Sequence, residues 1–295
     1  MASDFRPSGL FPPLVTPFTA DDRVDLDALE RLAAEVLDEG AAGIVALATT
    51  GEATSLTADE CDAVVASCAS VCADKHATLI VGAGTNDTRT TIERHEALAR
   101  VPGATASLAV VPYYVRPSEQ AIVKHFELVA ERSPVPVLIY NIPYRTGRGL
   151  GAQSLLELAA IDGIAGVKQA VGGIDGDTIT VLAAAPDDFA MLAGDDQFIY
   201  PFTLMGARGA IAASAHIATR RFAEMVGAGL AGRVEEGRAH HDALLPLAQA
   251  LFAEPSPAVI KAVLHAQGRI ATPNVRMPLA NASKAAGDLA LSVTP

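Results

Sequence analysis

Eight short apolar segments alternate with helix-like segments along most of the chain, and this alternation constrains the fold more than any other feature. The apolar segments, each interpreted as a strand, are residues 10–15, 43–47, 78–81, 106–111, 137–140, 164–168, 190–192 and 209–213. Segments of helical periodicity lie between and after them, at residues 26–37, 61–72, 88–99, 118–131, 154–160, 178–184, 198–205 and 220–227. Continuous apolar strands joined by helices indicate a parallel sheet whose outer face is covered.

The number of these units predicts an α/β fold of the closed type, a (β/α)8 or TIM barrel, over residues 1–228. Three further helical patterns, at 233–252, 257–267 and 279–291, predict a C-terminal helical appendix over residues 229–295. An open doubly wound sheet is the alternative architecture. Its dinucleotide fingerprint is incomplete, because Gly82 and Gly84 follow a strand but Asp87 stands where the third glycine belongs. This argues against a nicotinamide-dependent oxidoreductase.

The charge balance of the chain is acidic, with 22 Lys and Arg residues against 34 Asp and Glu residues and a formal net charge of −12 at pH 7. No basic block interrupts it, so we expect neither a nucleic acid nor a membrane as partner. No apolar run approaches the length of a membrane span, and the first residues lack the pattern of a signal peptide. The expectation is a cytoplasmic protein with small-molecule substrates.

Three cysteines, Cys61, Cys68 and Cys72, fall in one predicted helix. Their number is odd and their spacing is too close for a disulfide framework, which fits a reducing compartment. Two interpretations of the group are open: Cys68 and Cys72 with His76 share a helix face and could ligate a metal, or the cysteines are small core residues. We favour the second and expect no metal.

Polar side chains follow four of the predicted strands, where a barrel of this type carries its functional groups. These groups are Thr49, Thr50 and Glu52 after the second strand, Tyr140, Asn141 and Arg145 after the fifth, Lys168 at the end of the sixth, and Gly194, Asp195 and Asp196 after the seventh. We therefore expect a site formed by several strand ends.

Lys168 is the most informative of these residues, because it is one of only five lysines and directly follows an apolar strand. Burial in the barrel would lower the pKa of its ammonium group toward neutrality. A neutral amine can attack a ketone and form a Schiff base, and Tyr140, one unit earlier, could move the proton. The alternative is that Lys168 is a structural ion-pair partner of Asp195 or Asp196 and Tyr140 a core residue.

Several motifs occur in an order that points to a known family. They are PPLVTPF at 12–18, GIVALATTGEA at 43–53, PYYVRP at 112–117, YNIP at 140–143, GVK at 166–168, GDD at 194–196 and EPSP at 254–257, near Lys261. Together they resemble the signatures of the dihydrodipicolinate synthase/N-acetylneuraminate lyase family. The resemblance covers most of the chain and implies metal-independent class I pyruvate aldolase chemistry on a TIM barrel with a C-terminal helical domain.

The resemblance also implies roles for individual residues. Lys168 would form the Schiff base with pyruvate, with no separate cofactor. Tyr140 would shuttle protons with the help of the Thr50 hydroxyl, and Tyr114 would complete the relay in the site of a neighbouring subunit. Thr49 and Thr50 would bind the pyruvate carboxylate.

The second substrate depends on other residues. Gly194 and Ile211 would line the pocket, and Arg145 stands after the Tyr-Asn-x-Pro motif, where synthase members bind the carboxylate of aspartate semialdehyde. The implied reaction condenses pyruvate with L-aspartate 4-semialdehyde to 4-hydroxy-tetrahydrodipicolinate, in lysine biosynthesis. The alternatives are pyruvate-dependent aldol chemistry on a 2-keto-3-deoxy sugar acid, 4-hydroxy-2-oxoglutarate or a sialic-acid-like substrate, and a non-catalytic relative.

Assembly and regulation follow from the same resemblance, which suggests a homotetramer built as a dimer of dimers. Lysine-sensitive members use histidine and glutamate side chains in an effector pocket where this chain has Ala58, Cys61 and Thr90. We therefore expect weak or absent inhibition by lysine. His216, after the eighth strand, is either a substrate contact or a helix-start residue, and both interpretations are open.

Overall fold

The computed structural model describes residues 5–295, and its centre is one sheet of eight parallel strands. The strands are β1 (Gly9–Leu10), β2 (Gly43–Ala46), β3 (Thr78–Gly82), β4 (Ala104–Val110), β5 (Val137–Asn141), β6 (Ile164–Gln169), β7 (Ala190–Ala193) and β8 (Gly209–Ala210). Their order is β1-β8-β7-β6-β5-β4-β3-β2. The segment after β1 closes the ring onto β2, since Leu14 N donates to Val45 O at 2.9 Å and Val45 N donates to Pro12 O at 3.0 Å. The predicted (β/α)8 barrel is confirmed, and the open doubly wound sheet is wrong.

The two closing strands are shorter than their apolar segments predict. β1 has two residues, of which only Leu10 belongs to the predicted segment 10–15. That segment includes Pro12 and Pro13, neither of which has an N–H group to donate to a neighbouring strand. β8 also has two residues, because the chain turns at Ala213–His216 into a short 3₁₀ helix. Both apolar segments were correctly located. Regular pairing between strands ends early in them, at β1 because of the prolines and at β8 because of the 3₁₀ helix.

The helices cover the outer face of the barrel and continue beyond it. They are α1 (Leu26–Asp38), α2 (Ala58–Lys75), α3 (Thr88–Ala97), α4 (Glu119–Arg132), α5 (Pro143–Thr146), α6 (Ala152–Ala159), α7 (Gly176–Ala184), α8 (Ile199–Leu204), α9 (Thr219–Leu230), α10 (Val234–Leu251), α11 (Ala258–Ala266) and α12 (Lys284–Ser292). The last begins later than predicted, because the Ser283 side chain caps it by accepting from Ala286 N. No helix within residues 5–295 is long and apolar enough to cross a membrane.

The C-terminal helices are connected to the barrel without an intervening linker. Residue 228 lies inside α9, and α10 packs directly against α9. The division at residues 228/229 remains a prediction.

Two hydrophobic layers follow from the alternation of side chains along the strands. On β5, Leu138 and Tyr140 belong to the layer inside the barrel, with Leu192 and Ile211, whereas Val137 belongs to the layer between the sheet and the helices. The inner layer fills the barrel and reaches its upper end at Tyr140. A functional site can therefore form only above this layer, at the carboxyl ends of the strands.

Burial decides between the two interpretations of the cysteines. Cys68 and Cys72 are buried in the layer between α2 and the sheet, and burial raises the pKa of the Cys72 thiol to about 12. His76 ends α2 in a left-handed conformation and so leaves the helical face. The interpretation as core residues is confirmed for Cys68 and Cys72. Among the described residues, no group of three or more His, Cys, Asp or Glu side chains is placed to hold a metal ion.

Candidate active site

A lysine and a tyrosine lie side by side at the carboxyl ends of β5 and β6. The register of the two strands pairs Tyr140 directly with Lys168, so both side chains point to the same face of the sheet. Lys168 Nζ lies 4.2 Å from the centroid of the Tyr140 ring, and the two residues are 5% and 6% exposed. The fold thus brings a primary amine and a phenol together in a site with little access to bulk water.

The next residue on each strand holds these two strand ends together. Asn141 Nδ2 donates to Gln169 Oε1 at 2.9 Å, and Gln169 Nε2 donates to Thr178 Oγ1 at 3.0 Å. Asn141 Oδ1 also accepts from Leu150 N at 3.1 Å. Both amide side chains are buried. Because they are hydrogen-bonded on the opposite face of the sheet, they fix the strand ends from which Tyr140 and Lys168 project.

A cavity of about 380 Å³ opens above the amine. The sequence-predicted site residues that line it are Thr49, Thr50, Tyr140, Arg145, Lys168, Gly194 and Ile211. The structure therefore gathers seven of the eight residues to which the family resemblance gives a role, and Asp195 and Asp196, predicted from their strand end, line the cavity as well. The exception is Tyr114, which does not line this cavity and is 86% exposed. Its predicted relay role requires a second subunit and stays a prediction.

The Thr49–Thr50 turn forms one wall of the cavity. After β2 the chain enters a 3₁₀ helix, Thr49–Gly51, in which Gly51 O accepts from the Thr16 hydroxyl at 2.7 Å. The N–H groups at the start of such a helix have no intrahelical acceptor. Together with two hydroxyls they suit a small carboxylate.

Gly194 leaves room for the lysine stem. A Cβ atom at this position would lie 2.8 Å from Ala170 Cβ, 3.0 Å from Gln169 O and 3.0 Å from Lys168 Cε. These separations are shorter than ordinary carbon contacts. A residue larger than glycine would therefore push against the side chain that carries the amine.

The two acidic residues after β7 bind backbone groups. Asp195 Oδ2 accepts from Gly172 N at 2.7 Å, and Asp196 Oδ2 accepts from Ser214 N at 2.6 Å. Burial raises the pKa of both carboxyl groups, an effect that the charge of Lys168 opposes. Across residues 5–295, Lys168 has no ion pair with either carboxylate within 4.0 Å. The interpretation of Lys168 as their structural ion-pair partner is therefore wrong.

His216 has a structural role. Its ring is fully buried, Nδ1 lies 2.8 Å from Ala213 O, and Nε2 accepts from Val15 N at 3.1 Å. Burial lowers the pKa of the imidazole to about 4. A neutral ring with its proton on Nδ1 satisfies both contacts. His216 thus ties the end of β8 to the segment after β1, and its interpretation as a substrate contact is wrong.

The cavity also has lining residues that sequence reasoning did not assign to the site. Phe252 and Ser256 line it from the segment between α10 and α11. The only signal was the EPSP motif at 254–257, which contributes to the family resemblance but does not predict contact with the barrel mouth. Arg145, on α5, lies at the exposed edge of the same cavity.

A closed (β/α)8 barrel with a buried lysine and tyrosine on neighbouring strand ends is the arrangement of a class I aldolase, in which the amine is the nucleophile. The comparison with known families agrees. The chain belongs to the dihydrodipicolinate synthetase family, whose model matches residues 6–290.

The similarity to known proteins extends over nearly the whole chain. A 4-hydroxy-tetrahydrodipicolinate synthase of Moorella thermoacetica is 41% identical over 271 residues, which are 92% of this chain and 91% of that protein. The synthase of Neisseria gonorrhoeae is 39% identical over 266 residues, 90% of each chain. The chloride-inhibited dihydrodipicolinate synthase of Acinetobacter baumannii, solved in complex with pyruvate, superposes with a TM-score of 0.93 at 31% identity and 97% coverage of both chains.

Proposed function

We propose that this protein condenses pyruvate with L-aspartate 4-semialdehyde to form 4-hydroxy-tetrahydrodipicolinate, a step of lysine biosynthesis. The observation that carries the proposal is the pairing of Lys168 with Tyr140 beneath a cavity that the Thr49–Thr50 turn and Arg145 also line. The names of the relatives and the pyruvate in the Acinetobacter structure support the same reaction.

The first half of the reaction activates pyruvate. The amine of Lys168 attacks the keto carbon, a carbon–nitrogen bond forms, the nitrogen loses a proton and the keto oxygen takes one up. Loss of water from this carbinolamine gives the imine, and loss of a proton from the methyl carbon gives the enamine. Tyr140 moves these protons with the help of the Thr50 hydroxyl. The Thr49–Thr50 turn holds the carboxylate through its N–H and hydroxyl groups.

The second half forms the carbon–carbon bond. The enamine carbon attacks the aldehyde carbon, and the aldehyde oxygen takes up a proton to become a hydroxyl group. The amino group of the acceptor then attacks the imine carbon, closes the ring and releases the Lys168 amine. One water is lost overall. The Arg145 guanidinium binds the carboxylate of the acceptor. The lysine is the covalent catalyst, so this route uses no separate cofactor and no metal.

The proposal includes assembly into a homotetramer, a dimer of dimers, in which Tyr114 completes the proton relay in the partner's site. Support comes from the neighbouring exposed side chains: Tyr114 is 86% exposed and Val115 58% exposed. Large apolar side chains exposed next to one another are typical of a surface that another subunit covers. A cytoplasmic location remains a prediction, and the cysteine content fits a reducing compartment.

Reductive trapping tests the central step. Borohydride in the presence of pyruvate reduces the imine, so we expect a pyruvate-derived mass increase on the peptide that contains Lys168. Lys168→Arg, which keeps the charge but is not a nucleophile at neutral pH, should show no adduct. Lys124→Arg is the matched control, because Lys124 lies on α4 in an exposed ion pair with Glu127, and it should trap normally.

The acceptor is tested separately by steady-state kinetics. We expect a higher kcat/KM for aspartate semialdehyde than for cleavage of a keto-deoxy sugar acid or 4-hydroxy-2-oxoglutarate. No adduct in the wild-type protein would overturn the proposed chemistry. An adduct together with faster sugar-acid cleavage would overturn only the choice of acceptor.

A further inference from the structure

A buried ion pair connects α11 to the barrel directly behind the Thr49–Thr50 turn. Lys261 Nζ lies 2.5 Å from Glu52 Oε1, and the side chains of both residues are 0% exposed. Lys261 Nζ also donates to Asn274 O at 2.9 Å, and Glu52 Oε2 accepts from Arg276 N at 2.8 Å. Each carboxylate oxygen of Glu52 thus has a donor from the C-terminal region.

The backbone of Glu52 fixes the turn. Glu52 N donates to Thr49 O at 3.1 Å, and the residue has a left-handed conformation with a φ of 54°. Residues other than glycine seldom adopt this conformation, and it persists where the surroundings hold it. Glycine would suit the backbone better. The glutamate side chain is therefore explained by its contacts with Lys261 and Arg276 rather than by the turn itself.

Stability alone does not account for the pair. Two buried charges gain little over well-packed apolar side chains of similar volume, because both lose their hydration. A buried pair can instead specify one arrangement among several. Here the arrangement it specifies is the position of Thr49 and Thr50, which line the cavity.

We propose that Glu52 and Lys261 are positioning residues that hold the Thr49–Thr50 turn in the geometry that binds the carboxylate of a 2-oxo acid. This inference rests on the proposed function of the same cavity. Neither Glu52 nor Lys261 lines the cavity, whereas Thr49, Thr50 and Lys168 do. Loss of the ion pair should therefore weaken binding of pyruvate more than it affects the later steps.

The test is the double variant Glu52→Gln/Lys261→Met, which removes both charges and leaves no unpaired ion in the core. We expect the pyruvate concentration for half-maximal borohydride trapping to rise by about tenfold or more, while the KM for the aldehyde changes by less than about threefold. Glu52→Asp keeps the charge but shortens its reach, so it should give a smaller shift in the same direction. Should the double variant fail to fold, Glu52→Asp still tests whether Glu52 positions the turn.

The matched control is Glu35→Gln/Arg269→Met, which removes another ion pair between the C-terminal region and the barrel. Arg269 Nη2 lies 3.0 Å from Glu35 Oε2 on α1, and neither residue lines the cavity. This control variant should leave the trapping midpoint, the pyruvate concentration for half-maximal borohydride trapping, unchanged. The inference is overturned if the Glu52 variants trap at the wild-type midpoint, or if the control shifts it equally. Failure of the wild-type protein to trap pyruvate would instead overturn the proposed function.

Discussion

Replacing Gly194 with alanine should disable Lys168 without removing any functional group. The added methyl carbon would lie 3.0 Å from Lys168 Cε and 2.8 Å from Ala170 Cβ. Carbon atoms in ordinary contact are about 3.5–4.0 Å apart, so one side must retreat by about 0.5–1 Å. The backbone at Gly194 cannot move freely, because Gly194 N donates to Gln169 O at 2.8 Å. The flexible lysine side chain is therefore the part that shifts to relieve its own contact, and the shorter contact with Ala170 Cβ adds strain that this shift does not relieve.

The size of the effect follows from this displacement. A misplacement of about 1 Å in a reacting group costs about 10²-fold in rate. Overpacking of this kind also costs about 1–3 kcal/mol of stability. For Gly194→Ala we expect kcat/KM and the rate of borohydride trapping to fall together by about two orders of magnitude in a folded protein.

Gly173→Ala is the control for this experiment. A Cβ at position 173 would meet no heavy atom within 4 Å, although the residue follows Gly172, which lines the same cavity. The control should trap pyruvate and turn over like the wild type. If Gly194→Ala does the same, the contact between position 194 and the lysine stem does not govern the position of the amine, and the reasoning is refuted.

Three further predictions concern the acceptor, regulation and pH. Arg145→Ala should raise the KM for aspartate semialdehyde by about ten- to hundredfold, because a charged hydrogen bond is lost, and should leave the pyruvate trapping midpoint near that of the wild type. Lysine at submillimolar concentration should not inhibit steady-state turnover strongly, since the family resemblance predicts Ala58, Cys61 and Thr90 at the effector positions; strong inhibition would contradict this. Burial, aided by the neighbouring His95, lowers the pKa of buried His125 to about 4, so the unfolded chain protonates first and stability is lost as pH falls from 6.5 toward 4. Denaturant titrations measure this loss as a fall in the free energy of unfolding. Between pH 6.5 and 4 that free energy should fall by about 3 kcal/mol less in His125→Asn than in the wild type. Equal falls in the two proteins would refute the lowered pKa of His125.

The barrel and the central pair of the site could be predicted because both depend on short-range patterns. Strand alternation separates an inner layer from an outer one, and eight repeats of it leave few architectures. Parallel neighbours then place their carboxyl ends together, so that Tyr140 and Lys168 had to be close once both were assigned to strand ends. The observed register pairs them directly.

The parts that were not predictable depend on contacts far apart in the sequence. His216 accepts a hydrogen bond from Val15 N, 201 residues away, so nothing near His216 distinguishes a structural ring from a substrate contact. Phe252 and Ser256 lie between α10 and α11, outside the alternation of strands and helices that predicts the barrel. They line the cavity because this segment folds back over the barrel mouth.

The C-terminal helices therefore belong to the architecture of the site as much as the barrel does. Lys261 and Glu52 are 209 residues apart and meet behind the turn that faces the cavity. Arg276 adds a second tie, because Nη1 and Nη2 each donate to the Glu60 carboxylate at 2.7 Å, and this pairing lowers the pKa of Glu60 to about 2. Since Glu60 lies in the first turn of α2, both ends of the segment 52–60 are held from the C-terminal side. A barrel without these helices would keep the lysine and tyrosine on their strands but would lose the groups that fix the proposed carboxylate-binding turn opposite them.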